Sequence, residues 1–338
     1  MPVTYAQSKS LSSLVTPSTA MFTERKQGAT IPTQSEVSST ERGVYGLRIH
    51  APELHEHIEG SLLVEARASW PDWEIGYDPL VDWSDDHPPV IESWSDDHAL
   101  LATQPTGFIV IDRVAARTTL HLPEPPTGAT ILHPYLASTG VVAGHWLGRA
   151  PFHAGAFILD GRAWGVLGAR EMGKTSLLMS LHRSGIPVMA DDLLVVDGPT
   201  AYSGPRCLDL RQSAAERFEA GDYLGVVGGR ERWRVTLPPV PPDVPFGGWV
   251  LLDWTDDLEI HRAPASVAIG ALLANAGLTA PGVPTQGLLD LLAFPMIRFG
   301  RPRDWAQVDA SMAGLLQVVG DLAAHDGRQS DAPAAVRP

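Results

Sequence analysis

The strongest constraint on this chain is the stretch FILDGRAWGVLGAREMGKTSLLMSLHRSGIPVMADDLLVVDG, residues 157–198. Within it Gly168 to Thr175 spells G-x-x-x-x-G-K-T, after a short apolar run at 164–167 and before Leu177, Leu178 and Leu181, which are spaced for one helix face. Strand, glycine turn and helix N-terminus in that order make a phosphate cradle. Gly168 and Gly173 let backbone N–H groups turn inward, Lys174 reaches the β and γ oxygens, and the Thr175 hydroxyl stands where a divalent ion sits. With Ala169, Arg170, Glu171, Met172 and the following Ser176, this is the expected binding loop for ATP with Mg²⁺.

Downstream, residues 186–190 read as an apolar strand ending in Asp191 and Asp192, followed by a second short strand, LLVVDG. Carboxylates at a strand end beside a phosphate loop hold a metal or accept the proton of an attacking hydroxyl, so Thr175, Asp191 and Asp192 are the candidate metal ligands. Neighbours on an extended strand point to opposite faces, and both reach one site only if the strand breaks there. The interval from Lys174 to Asp191 leaves room for one helix and an immediate return strand. His153, at the entrance to the central stretch, is either a packed imidazole or a proton-handling group. Arg211 in CLDLR is a candidate phosphate clamp or a sheet-edge ion pair. Arg230, Arg232 and Arg234 alternate with Glu231 and Trp233, which puts the arginines on one strand face, facing either an acidic ligand or solvent.

Composition matters here chiefly through charge. Lysine occurs only at Lys9, Lys26 and Lys174, so Lys174 belongs to no general solubilising surface. A formal charge of −14 argues against a nucleic-acid partner. The single cysteine, Cys207, excludes an intrachain disulfide framework and an all-cysteine metal site. With no apolar run of spanning length and no signal-peptide core, the expectation is a cytoplasmic chain without a membrane partner. At 338 residues with 44% hydrophobic residues, it has the material for two domains or one elaborate one.

Taken in order, residues 1–41 are Ser-, Thr- and Gln-rich and are expected to form a disordered tail. From Val44, VYGLRIH, SLLVEARA, GFIVIDR and RTTLHL read as strands, the last two as a hairpin, giving a β-rich accessory domain over 42–150. Inside it WSDDH occurs at 83–87 and again at 94–98, a solvated loop or hairpin in preference to a metal site, with an acidic surface for a basic partner as a further reading. Residues 130–148 are expected to continue a core sheet, with His133 and His145 packed. The α/β P-loop unit is expected over 151–323. The proline-rich segment 235–248 serves as a connector, strands follow near 249–253 and 258–261, and helices at 265–276, 285–292 and 305–322 form a cap. Residues 324–338 complete the chain as a flexible tail.

His153, the loop GAREMGKT and the run MADD at 189–192 together resemble the catalytic domain of bacterial HPr serine kinase/phosphorylase, whose fold is similar to phosphoenolpyruvate carboxykinase. The resemblance is strong over 152–198. It implies an active-site role for His153, phosphate and Mg²⁺ handling by Lys174 and Thr175, and hydroxyl activation by Asp191 with Asp192 beside it. Ser176 stands where the family commonly has Glu, and the glycine-rich C-terminal signature of the bifunctional enzymes is missing, so phosphorylase activity and HPr as substrate are not carried over. YGLRI at 45–49 looks like the start of the divergent relatives found beside ribosomal peptide modification systems. The resemblance therefore implies an ATP-dependent kinase acting on a serine of a peptide or small protein, with a ribosomal precursor peptide the leading acceptor. A small-molecule hydroxyl kinase and a noncatalytic ATP-binding or ATPase subunit stay open, as does a homo-oligomer.

Overall fold

In the computed structural model the first element is a two-residue hairpin. Tyr45 and Gly46 take φ of 57° and 79°, the left-handed pair that matches the twist of flanking antiparallel strands. They join β1 (Arg42–Val44) to β2 (Leu47–His50), with Val44 paired to Leu47. The structure describes residues 41–54, 56–58, 60–80, 93–102, 107–277 and 285–330, all within a unit that begins at Glu41. The expected N-terminal tail up to residue 40, the first WSDDH copy and residues 331–338 lie outside the described residues.

The hairpin opens an eight-stranded sheet that continues through β3 (Val64–Glu65), β4 (Asp72–Pro79), β5 (Ser93–Trp94), β6 (His98–Ala102), β7 (Phe108–Asp112) and β8 (Arg117–Leu122). Its order is β3-β1-β2-β4-β8-β7-β6-β5, with β4 parallel to both neighbours. The expected hairpin of GFIVIDR and RTTLHL is β7 and β8. The second WSDDH copy is also a hairpin, β5 to β6, in which Trp94 stacks on Trp146 with ring centroids 5.3 Å apart.

Residues 130–148 do not continue a sheet. They form α1 (Gly128–Thr130), a distorted turn Ile131–Tyr135, and α2 (Leu136–Trp146). Thr127 caps the start, its hydroxyl accepting from the Thr130 N–H. The helical ladder breaks at His133, which is extended at φ −147° before Pro134, a residue with no N–H to give. Valine and glycine hide the helix from a sequence reading. The buried positions Leu136, Thr139, Gly140 and Ala143 do follow helical spacing, but Thr139 and Gly140 carry no apolar signal for a sequence reading.

The remaining strands are β9 (Ala150–Phe152), β10 (Gly155–Leu159), β11 (Arg162–Leu167), β12 (Val188–Ala190), β13 (Leu194–Asp197), β14 (Thr200–Tyr202), β15 (Cys207–Leu210), β16 (Asp222–Val227), β17 (Arg230–Thr236), β18 (Asp243–Trp254), β19 (Glu259–Arg262) and β20 (Met296–Arg301). β11 sits between antiparallel β10 and parallel β18, and β10 also pairs β12. The sheet forks along β18, whose first residues pair β14 while Trp249 to Trp254 pair β20. β18 begins at Asp243, inside the segment read as a connector. Pro245 is tolerated there because a proline is confined to positions where no ladder donor is needed.

Among the described residues five further helices cover this sheet. On one face lie α3 (Lys174–Arg183), α4 (Gln212–Phe218) and α7 (Val308–Ser330), packing Leu177, Leu178, Leu181, Phe218 and Leu315 against Trp164, Val166 and Val250. On the other, α5 (Ala265–Asn275) and α6 (Thr285–Leu291) pack with Trp249, Phe246 and Leu167. α7 runs past its expected end at 322, and a 3₁₀ turn, Trp305–Gln307, precedes it. Among the described residues no helix is long and apolar enough to cross a membrane. The first sheet shares its core with the second half of the chain, since Tyr45, Leu136, Leu193, Val195 and Cys207 belong to one buried cluster.

Gly140 tests that shared core. In an open helix Gly→Ala adds about 1 kcal/mol of stability, but a Cβ at Gly140 lands 2.6 Å from Tyr45 Cδ2 and 3.0 Å from Leu193 Cδ2. G140A is therefore expected to lower stability in urea by about 1–3 kcal/mol, the usual cost of overpacking. A more stable variant would contradict this packing.

Candidate functional site

The loop of residues 168–173 leaves β11 and enters α3 through two left-handed residues, Glu171 at φ 70° and Gly173 at φ 76°. Gly173 has a second reason to be glycine, because a Cβ there would lie 2.9 Å from Arg301 Nη2 and 3.5 Å from the Trp254 ring. Gly168 packs as closely, with Leu252 and Met172 side chains 3.2 Å from a Cβ. Lys174 is 8% exposed and donates to the Gly168 carbonyl at 2.7 Å, spanning its own loop. Burial lowers its pKa, and Asp192 and Asp191 oppose that shift.

β12 carries the two carboxylates to the same place. The strand ends at Ala190, and Asp192 turns left-handed at φ 64°, so the adjacent side chains separate without opposing each other across a sheet. Asp191 Oδ1 accepts from the Thr175 hydroxyl at 3.2 Å, and its Oδ2 accepts from the Asp209 N–H at 3.4 Å. Burial, then the charges of Asp192 and Asp209, raise the Asp191 pKa well above the usual carboxylate range. Asp192 faces the other way, into cations and imidazoles. Its Oδ2 lies 3.5 Å from Arg232 Nη1 and 3.8 Å from His133 Nδ1. Burial pushes Asp192 up, but His133, Arg232, His153 and Lys174 outweigh it and leave the pKa below its ordinary value.

His153 and Asp192 are brought together by backbone. His153 Nδ1 lies 2.9 Å from the Asp192 carbonyl, a pairing in which Nδ1 donates and Nε2 is the acceptor nitrogen, and its own N–H donates to Asn275 O at 2.7 Å. One edge of the ring is open to solvent, yet packing and then Lys174 hold its pKa below 6.5. Arg211 stands at the mouth of the loop, pairing with Glu171 at 3.2 Å; Arg170 is exposed beside it. Ser176 lies in the first turn of α3, its carbonyl accepting from Ser180.

The arginine strand alternates as expected, with Arg232 and Arg234 turned inward and Arg230 exposed at its start. β15, β17 and β16 form a three-stranded sheet in which Asp209 is in register with Arg234. Arg234 holds Asp209 through two hydrogen bonds of 2.7 and 2.8 Å, both side chains nearly buried, and Arg232 bridges Asp209 to Asp192. The sequence reading passed over Asp209; its one signal is a lone charge in the apolar strand CLDL, and its partner lies 25 residues away.

Three more groups at the site escaped the sequence reading. His133 reaches Asp192 from the break before α2. Arg301, at the end of β20, donates to Met172 O in the loop at 2.6 Å and lies over Trp254, 4.3 Å from the ring centroid. It is 6% exposed, burial lowers its pKa to about 10, and its Nη1 has no hydrogen-bond partner among the described residues. Tyr45 lies buried close to the three aspartates, its pKa raised by burial and then by Cys207 and the carboxylates.

No family model and no curated protein matches this chain. Among solved structures, the Hpr(Ser) kinase/phosphatase from Coxiella burnetii aligns with 54% of this chain and 98% of its own, at 12% identity and a TM-score of 0.26. That score marks a remote likeness, within an α/β fold of mixed sheets and helices.

Removing one partner of a nearly buried ion pair strands the other charge and costs about 3–5 kcal/mol. D209A is therefore expected to lower urea stability by an amount of that order. A loss under about 1 kcal/mol would place the Arg234 pairing among weak surface contacts.

Proposed function

We propose that this chain is an ATP-dependent kinase that transfers a phosphoryl group to a serine hydroxyl of a peptide or small protein, a ribosomal precursor peptide being the leading acceptor. One observation carries the reading: the first helical turn after the glycine loop and the end of β12 meet at a hydrogen bond between Thr175 and Asp191, with Asp192 beside it in an ionised setting. A phosphate loop next to a carboxylate pair is the arrangement phosphoryl transfer requires.

The residues present fit the nucleotide. The loop turns left-handed at Glu171 and Gly173 into the N-terminus of α3, whose backbone N–H groups suit a phosphate, and buried Lys174, now on a carbonyl, exchanges that acceptor for phosphate oxygens. They also fit magnesium. Thr175 and Asp191 offer two oxygens, and no cluster of three His, Cys, Asp or Glu forms a metal cage among the described residues. Magnesium keeps several waters and binds through one or two carboxylates plus the substrate's phosphates, so two protein oxygens suffice. When bound it neutralises charge on the β and γ oxygens.

The two aspartates divide the work. Asp191, bonded to Thr175, belongs to the metal side. Asp192, turned toward His133, Arg232 and His153, is the carboxylate that takes the proton from the acceptor. The serine oxygen bonds to the γ phosphorus, the bond to the β–γ bridging oxygen breaks, ADP leaves, and the proton passes to Asp192. This assignment exchanges the roles that the family resemblance implies for the pair. His153 orients Asp192 through the backbone, and Arg211 at the loop mouth is available to the transferred phosphate once it leaves Glu171.

Incubation with γ-labelled ATP and serine peptides, with mass-spectrometric localisation of the label, tests the reading. Label is expected on serine, and D192N is expected to lower the rate about 100- to 10,000-fold, the usual contribution of a general base. Folded D192N transferring at the original rate would exclude that role. ATP turnover without any labelled peptide would favour the ATPase or assembly subunit, and label on a small alcohol alone would favour a small-molecule kinase.

Asp191 also sets a pH dependence. Its folded pKa is raised, so at lower pH metal binding must displace a proton from it. Affinity for Mg²⁺-ATP should therefore rise with pH below that folded pKa, by at most about tenfold per unit, and level off above it. Calorimetry on the unaltered chain and D191N isolates this slope from the nucleotide's own titration. Identical slopes in the two proteins would contradict the assignment of Asp191 to the metal.

A further inference from the structure

Arg301 is a buried cation without a counter-ion. It stands at the end of β20 in register with Trp254 on β18, its guanidinium over the Trp254 ring and 5.3 Å from the centre of Phe299. Among the described residues it pairs with no carboxylate. Nη2 donates to Met172 O at 2.6 Å, Nη1 has no partner, and burial is what lowers its pKa. A charge placed in this way is costly until an anion joins it.

Stacking on Trp254 fixes the plane of the guanidinium and leaves its edge to donate. That edge meets the loop at one particular peptide. In a trans peptide the C=O and the following N–H point in opposite directions, so the bond to Met172 O turns the Gly173 N–H away from Arg301. Among the described residues the Gly173 N–H has no acceptor. The ladder of α3 opens only with the Leu177 N–H, which donates to Gly173 O at 3.0 Å, and the N–H groups before it are left for a ligand. Glycine at 173 permits the approach, because a Cβ there would lie 2.9 Å from Nη2.

We propose that Arg301 is a positioning residue for the β phosphate of the nucleotide, acting through the Met172–Gly173 peptide. It holds that peptide with its N–H presented to the phosphate, and a carbonyl bonded to a cation makes its own peptide N–H a stronger donor. The phosphate in turn supplies the negative charge that Arg301 lacks. The inference rests on the ATP-binding reading and adds to it a residue far along the chain from the loop, one that favours nucleoside di- and triphosphates over monophosphates.

The experiment is calorimetric titration of the full chain with Mg²⁺-ADP and with AMP, beside urea unfolding of the free protein. R301M is expected to bind Mg²⁺-ADP about tenfold more weakly or worse, the loss of one charge-assisted bond, and to keep its affinity for AMP. The free variant should unfold in urea no more easily than the unaltered protein, because a cation that burial penalises has gone. R301K, which keeps the charge and a donor, should bind Mg²⁺-ADP more tightly than R301M. If R301M does not fold, R301Q carries the test, since it keeps a donor for Met172 O without the charge and is expected to lose affinity for Mg²⁺-ADP and not for AMP. Unchanged Mg²⁺-ADP affinity in a folded variant, or equal losses for ADP and AMP, overturns the role of Arg301 and leaves the kinase reading standing. An unaltered chain that binds neither Mg²⁺-ADP nor Mg²⁺-ATP overturns that reading and the inference with it.

Discussion

Two adjacent carboxylates held close together in a partly buried site are the constraint on which this structure turns. Asp191 and Asp192 repel each other, and burial penalises the charge of both. The chain resolves the conflict by asymmetry. The left-handed turn at Asp192 aims one carboxylate at Arg232, His133 and His153, where ionisation is favoured, and leaves the other on neutral donors, the Thr175 hydroxyl and the Asp209 N–H. Burial in the same place keeps cations near by. Lys174 lies under the loop, Arg232 spans Asp192 and Asp209, and Arg234 neutralises Asp209 from the far side.

Much of the surrounding fold serves to keep that arrangement in place. β11 and α3 set the loop, β12 delivers the aspartates, and the three-stranded sheet lays its arginine face over them. From the N-terminal side, the hairpin residue Tyr45 packs between Gly140 and Gly204 and extends toward the same carboxylates. Its peptide N–H donates to Ser203 O at 2.8 Å, tying the first sheet to the segment after β14. Arg301 and Trp254 brace the loop from outside the cradle through Met172 O and the crowded Gly173.

What was legible in the sequence was local. The strand, glycine turn and helix around Lys174, the return to MADD, and the alternation of Arg230, Arg232 and Arg234 are encoded within a few residues of one another, and each has its expected secondary structure. What was not legible depends on contacts across the chain. His133 lies 59 residues before Asp192 in the sequence, and although Pro134 marks the break in the helical ladder, nothing local tells that the break turns His133 toward the aspartate. Arg301 reaches Met172 from 129 residues away. α2 was mistaken for strand because its buried face includes Thr139, Gly140 and Gly144, which carry no apolar signal, and β20 went unread because Arg298, Gly300 and Arg301 interrupt its apolar run. The inward aim of Arg232 and Arg234 follows from Asp209 standing opposite Arg234, a pairing of register that alternation alone does not reveal.

The asymmetry of the aspartate pair is the central claim, and isotope-edited infrared spectroscopy of carboxyl groups measures it directly. With ¹³C-labelled aspartate at mildly acidic pH, the free protein is expected to show a protonated, buried carboxyl band that disappears on addition of Mg²⁺-ATP, is missing from D191N and persists in D192N. A band that survives Mg²⁺-ATP, or that is lost in D192N and kept in D191N, would contradict the division of roles between Asp191 and Asp192.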